Sequence, residues 1–315
     1  DVVLDAVDGL GYTTDGRILA LNSYENRVYQ LGLEDGRFVV AKFYRPARWT
    51  DAAILEEHAF ALELLDNEVP VVAPVVASGQ TLHEHGGFRF AVYPRQGGRW
   101  PELVNTEERA WMGRFLGRIH TVGGRARFRH RLELAPRWLG REAAAEILAS
   151  RWLPSHLTAN YRSTTAQLLD AIEALLEAVG PLERLRIHGD CHPGNVLWTD
   201  TGPHFVDLDD CMTGPAVQDL WLFLSGSRDE RTRQLKDLLD GYTQMRDFDF
   251  REIRLIEALR ALRMIHYTAW IARRWEDPAF PLAFPWLETN RYWEEHVLGL
   301  KEQLAALDEP PLEVA

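Results

Sequence analysis

His188-Gly189-Asp190-Cys191-His192-Pro193-Gly194-Asn195 puts a carboxylate, two imidazoles and a carboxamide in one short stretch. Asp207, Asp209 and Asp210 follow directly after Phe205-Val206. Side chains of these types suit the transfer of a phosphoryl group. An acceptor hydroxyl must be oriented and its proton received, and Asp190 fits that role. Magnesium beside a triphosphate takes oxygen ligands, and Asn195 and Asp207 supply them. An acidic surface turn would explain one Asp before an Asn. It does not explain the whole set.

Ile187 and Val196-Leu197-Trp198 anchor the ends of the first polar loop, and Thr199-Asp200-Thr201-Gly202-Pro203 suits a tight turn. A strand-loop-strand hairpin would therefore bring Asp190, Asn195 and Asp207 together. In the eukaryotic-like kinase pattern the catalytic Asp lies five residues before a metal-binding Asn, and Asp190 and Asn195 have that separation.

Upstream, residues 1–94 read as a small, mostly β nucleotide-binding lobe with one main helix. Ile18–Leu21, Arg27–Leu31 and Arg37–Tyr44 alternate as strands of a meander, and Leu4–Leu10 is a short helix. The loop Asn22-Ser23-Tyr24-Glu25-Asn26 would cover the ATP phosphates without the usual glycines, leaving Ser23 and Asn26 to contribute. Lys42, near its strand's end, would reach the α and β phosphates. A helix opening at Thr50 or Asp51 offers both Glu56 and Glu57 to hold Lys42. Glu57 is preferred for its distance from Leu64-Leu65. A hairpin across His85-Gly86 ends in Ala91–Tyr93, whose backbone would dock adenine.

Residues 95–315 read as a larger, mostly helical catalytic and substrate-binding lobe. Helical periodicity runs over Glu107–Val122, Ala143–Leu148, Tyr161–Val179, Arg231–Tyr242, Phe250–Trp275 and Trp293–Leu307. His120 closes an apolar face and reads as a hydrogen-bonded core histidine. Asp219, at a helix start, would accept backbone N–H groups from the catalytic loop. Arg263, Tyr267, Trp270 and Arg274 share one helical face that could meet an acceptor. Arg125, Arg127, Arg129 and Arg131 read as a solvated connector. The aromatic segments 277–281 and 284–287 read as loops.

The 315 residues allow two lobes, and 46% hydrophobic with 26% charged content is ordinary for a soluble protein. A formal net charge of −12 argues against general attraction to nucleic acid or an anionic membrane. Two cysteines, Cys191 and Cys211, make no disulfide framework and suggest a reducing, cytoplasmic setting. No signal peptide or membrane span is expected.

Together these blocks resemble the bacterial stress response kinase A family, within the aminoglycoside phosphotransferase and choline kinase-like group. The resemblance rests on Leu21–Gln30, Val40–Pro46, the 188–195 and 205–210 motifs, Gly214–Trp221, and Arg273-Arg274-Trp275 with 277–281. It implies a bilobal α+β protein kinase-like fold and a monomeric, cytoplasmic, ATP- and Mg2+-dependent protein serine/threonine kinase of stress responses. The acceptor would be a protein or the kinase itself. It also implies Asp190 as proton acceptor, Asp207 as an active-site as well as metal-binding residue, and His188 as a brace for the catalytic loop. Asp209 and Asp210 would lie behind the metal. An extra residue between Asp190 and Asp207 and the absent glycine loop are departures. A small-molecule kinase acting on an aminoglycoside, choline or homoserine hydroxyl is the alternative; a pseudokinase conflicts with the presence of Lys42, Asp190, Asn195 and Asp207.

Overall fold

The computed structural model describes residues 2–314. Its N-terminal lobe holds helix α1 (Val2–Asp8), strands β1 (Thr14–Leu21), β2 (Arg27–Leu33) and β3 (Phe38–Phe43), helix α2 (Asp51–Asp66), and strands β4 (His83–His85) and β5 (Phe88–Pro94). The strands form one antiparallel sheet in the order β1-β2-β3-β5-β4. Period-two alternation decides what each face carries. Ala41, Phe43, Phe90 and Val92 pack with Ala6 and Val7 of α1, while Lys42 points to the opposite face. Helix α2 covers that face with Ile54, Phe60, Ala61 and Leu64 buried. Thr50 caps α2 by accepting the Ala53 amide at 3.2 Å, a contact worth about 1 kcal/mol.

The larger lobe contains α3 (Thr106–Gly123), α4 (Ala143–Ala149) and α5 (Thr158–Val179), then four short strands: β6 (Leu185–Ile187), β7 (Val196–Thr199), β8 (Gly202–Phe205) and β9 (Met212–Gly214). It ends with α6 (Gln218–Trp221), α7 (Arg228–Tyr242), α8 (Ile256–Arg273), α9 (Ala279–Ala283) and α10 (Asn290–Ala306). Two glycines inside helices let α3 and α7 touch backbone to backbone. A Cβ on Gly113 would lie 1.9 Å from the Leu238 carbonyl oxygen, and one on Gly241 the same distance from that of Ala110. The small strands pair as β6–β9 and β7–β8. Among the described residues no helix is long and apolar enough to cross a membrane.

The segment expected as one helix from Phe250 to Trp275 is divided. A 3-10 turn over Phe250–Leu255 precedes α8 because Asp249 accepts the Arg251 amide and Glu252 turns inward to accept that of Val217 at 2.8 Å. The expected aromatic loop around Phe280 is the short helix α9. A π-helical turn over Arg137–Glu142 leads into α4.

Glu252 is 3% exposed, and burial pushes its carboxyl from 4.5 up to about 7. A folded value above the unfolded one favours the protonated form, so this contribution is complete below about pH 4.5 and is lost as pH rises through about 7. Glu252→Gln keeps an acceptor for Val217 and removes the titration. Relative to the parent it gains about 3 kcal/mol between pH 4 and pH 8. Urea midpoints at several pH values test this; a pH-independent offset between the two proteins would contradict it.

Candidate active site

The loop between β6 and β7 carries Asp190 and Asn195, and it is tied down before any ligand arrives. Asp219, fully buried at the start of α6, accepts the His188 amide at 2.7 Å and the Gly189 amide at 2.8 Å. His120 from α3 meets the same carboxylate at 3.0 Å and the Tyr242 hydroxyl at 3.0 Å. Gln218 donates to the Gly189 carbonyl at 2.8 Å. Gly189 is obligatory here: its φ is +85°, and a Cβ would stand 2.2 Å from the Asp210 carbonyl oxygen. The His188 ring contacts the Val206 carbonyl at 2.9 Å, joining this loop to the end of the β7–β8 hairpin.

That hairpin brings the oxygen donors into one cleft. The Asn195 amide nitrogen donates to the Asp190 carbonyl at 2.9 Å. Only the NH2 group can bond a carbonyl, so Asn195 Oδ1 is the atom left to face a cation. The Asn195 carbonyl accepts the Val206 amide at 3.0 Å, which fixes Asn195 beside Asp207. Asp207 adopts a left-handed backbone, φ 58° and ψ 64°, which Asp tolerates better than most residues. Its carboxylate is 52% exposed, and Lys42 Nζ lies 3.2 Å away.

Lys42 is buried among three carboxylates: Asp209 at 2.9 Å, Asp207 at 3.2 Å and Glu57 at 3.5 Å. Burial opposes its charge, but Asp209, Glu57 and Asp207 together raise its pKa above the ordinary lysine value. Glu56, the adjacent residue, does something else. Its carboxylate accepts the amides of Arg129, His130 and Arg131 at 2.8, 2.7 and 3.1 Å. Glu57 is therefore the α2 carboxylate facing Lys42.

Asp209 is 2% exposed and collects Lys42, Arg48 and the Asn26 carboxamide, the last at 3.1 Å. Arg48 also holds Asp210 at 2.6 Å. Arg131, expected in a solvated connector, is buried, donates to the Cys211 and Asp209 carbonyls, and lies 4.0 Å over the Trp49 ring. Arg48 carried no sequence signal and Arg131 read as solvated, since each finds its partners far along the chain. Cys191 and Cys211 are fully buried, and burial pushes both thiols up, away from reactive thiolate.

Asn26 also accepts the Arg45 amide at 3.2 Å, so it pins the β1–β2 loop under the cleft roof. Ser23 sits half-buried in the same loop. The loop is held from the far lobe as well. Glu25 accepts from Trp270 at 2.6 Å and Arg274 at 2.7 Å, and Asp277 binds Arg27 at 2.8 Å and Arg45 at 2.6 Å. Tyr24 packs 5.0 Å from the Phe284 ring. Trp270 and Arg274 of the α8 face are thus spent on this loop. Arg263 reaches the catalytic loop at Asp190, while Tyr267 packs in the aromatic cluster with Trp270 and Phe284.

Ala91 pairs with Lys42 and Tyr93 with Val40 in the β3–β5 ladder. The Val92 carbonyl faces the other way and accepts the Val75 amide at 2.7 Å. Successive strand carbonyls alternate sides, so those of Ala91 and Tyr93 point toward β3.

Asp190 holds Arg263 at 2.6 Å on one oxygen and His192 at 3.4 Å on the other. Burial works against its charge, but the His192 hydrogen bond and Arg263 lower its pKa below the usual carboxylate range. It is therefore an ionised acceptor throughout the neutral range. Among the described residues no three His, Cys, Asp or Glu side chains form a metal cage. Asn195 Oδ1 and the Asp207 carboxylate nevertheless suit magnesium, which takes a few protein oxygens and completes its shell with phosphate and water.

Residues 17–256 match the model of the phosphotransferase enzyme family. The chain is 47% identical over 321 residues to stress response kinase A of Escherichia coli (strain K12), covering 100% of this chain and 95% of the relative. It is 44% identical, with the same coverage, to the serine/threonine protein kinase RdoA of Salmonella typhimurium (strain LT2). Among solved structures, amicoumacin kinase hAmiN in complex with AMP-PNP, Ca2+ and Ami superposes with a TM-score of 0.73 at 17% identity, over 96% of this chain and 91% of that one. A microcompartment-associated aminopropanol kinase gives 0.69 at 18%, over 98% and 97%.

Proposed function

The chain belongs to the phosphotransferase enzyme family, alongside the stress response kinase A proteins, and from that premise we propose that it moves the γ-phosphoryl group of magnesium-bound ATP to a serine or threonine hydroxyl of a protein. It is an ATP-dependent kinase. The observation that carries the proposal is the linked set in which Lys42 meets Asp207, the adjoining Val206 amide donates to the Asn195 carbonyl, and the Asn195 side chain donates to the Asp190 carbonyl.

In this reading Asp190 orients the acceptor hydroxyl and receives its proton as the new P–O bond forms. Lys42, steadied by Glu57 and Asp209, neutralises the α and β phosphates. Asn195 and Asp207 hold magnesium, which when bound neutralises charge on the triphosphate. Ser23 and Asn26 position the loop over the phosphates. His188 and Asp219 keep the catalytic loop in place. Most of the acceleration then comes from positioning and charge neutralisation. Two buried free thiols support a reducing compartment, and a cytoplasmic monomer is the simplest setting.

The test is transfer of labelled γ-phosphate with three acceptors: the protein itself, a generic protein rich in serine and threonine, and a panel of small hydroxyl compounds. Label on serine or threonine is expected. Label confined to an amino alcohol, sugar or antibiotic would overturn the protein acceptor while leaving the phosphotransferase assignment intact.

A further inference from the structure

Asp190 is not open to solvent on every side. Arg263 from α8 places Nη1 2.6 Å from Asp190 Oδ1, one of the two atoms an acceptor hydroxyl would use. The arginine is 41% exposed and Asp190 is 26% exposed, so this pair stands at the mouth of the cleft. Four residues further along the same helix, Tyr267 is 40% exposed and stacks on Trp270, with ring centroids 5.7 Å apart. His266 between them is neutral, because burial pushes its imidazole down to about 4. The positive charge beside Asp190 on this helix is thus that of Arg263.

From this we infer that Arg263 is a specificity residue: it reads a carboxylate next to the acceptor hydroxyl, and in doing so it leaves Asp190. The inference rests on the phosphotransfer reading above and names its substrate class, an acidic peptide segment. A hydroxyl hydrogen-bonded to Asp190 brings its neighbouring residue within one chain step, about 3.5 Å along an extended segment. A side chain there reaches the exposed face of the guanidinium. Arginine has five N–H donors in a fixed fork, and a carboxylate can take two of them at once. The incoming acid therefore competes with Asp190 for the same cation. Binding exchanges one ion pair for another and frees Oδ1 for the hydroxyl. An ammonium group at the same place meets a like charge instead. The overall charge of −12 repels acidic partners at long range, so this preference must be made locally.

The experiment compares the parent with Arg263→Ala and Arg263→Glu on two peptides that differ only in Glu or Lys beside one serine. The same proteins are assayed on glycerate and ethanolamine. The parent is expected to favour the Glu peptide about tenfold in kcat/KM, equivalent to about 1.4 kcal/mol. Arg263→Ala should bring the ratio near one, mainly through KM for the acidic peptide, and Arg263→Glu should invert it. A loss of equal size on both peptides would mean that Arg263 serves the nucleotide or the fold, and the inference fails. An unchanged ratio overturns it too. If the parent labels neither peptide but labels a small acceptor, the protein reading fails separately, and the glycerate-to-ethanolamine ratio decides the role of Arg263. No label on any of the four acceptors overturns both.

Discussion

Asp190→Asn is expected to bind nucleotide within about twofold of the parent and to transfer phosphate about 10²- to 10⁴-fold more slowly, the range for loss of a positioned proton acceptor. The expectation follows from how the loop is built. Its backbone is held by Asp219, Gln218 and Asn195, none of which needs the Asp190 side chain. Asn keeps the shape and still accepts a hydrogen bond, but it cannot take the proton. The charge it removes is the partner of Arg263, so the guanidinium turns to solvent, where it is already 41% exposed. Single-turnover transfer and calorimetric nucleotide titration separate the two effects. Equal turnover by variant and parent would remove Asp190 from the mechanism.

Asp207→Ala should act on the metal instead. Lys42 keeps Asp209 at 2.9 Å and Glu57 at 3.5 Å when Asp207 is gone, so the lysine stays charged and placed. What disappears is an exposed carboxylate beside Asn195. Outer partners of a metal ligand cost about 10- to 100-fold in metal affinity when mutated, and loss of a ligand should cost at least that. The expected signature is a nucleotide affinity that no longer rises when magnesium is added, with metal-free affinity unchanged. Alanine is also strained at φ 58°, whereas asparagine tolerates that backbone, so Asp207→Asn separates strain from ligation. Identical magnesium dependence in both variants and the parent would contradict the assignment.

The central motifs were legible in the sequence because their chemistry is local. Asp190, Asn195 and Asp207 lie on one loop and one hairpin, so spacing and turn residues suffice to bring them near each other. Lys42 could be assigned a face because strand alternation is a short-range rule. Asp219 and His120 were legible for a similar reason, a polar side chain at an otherwise apolar position. Glu57 could be preferred over Glu56 only by its distance from Leu64-Leu65, since adjacent helical residues differ by about a third of a turn and both can look inward. The structure uses both, in different directions. Arg48 and Arg131 escaped because their partners are 161 and 78 residues away, and no local pattern encodes such a meeting. The division of the expected 250–275 helix escaped for a related reason: Glu252 turns inward to an amide 35 residues upstream.

The contacts of α2 carry a consequence for how this kinase can be controlled. Besides the three amides on Glu56, Glu63 binds Arg186 at 2.8 Å, and the helix's C-terminal carbonyls at Asn67 and Glu68 accept from Arg118 at 3.0 and 2.7 Å. The helix is thereby riveted to the larger lobe at its middle and its end, with Arg186 also seated 4.7 Å over Phe60. An outward swing of α2, which would part Glu57 from Lys42, must break all of these at once. The larger lobe thus holds α2 in the position that turns Glu57 toward Lys42.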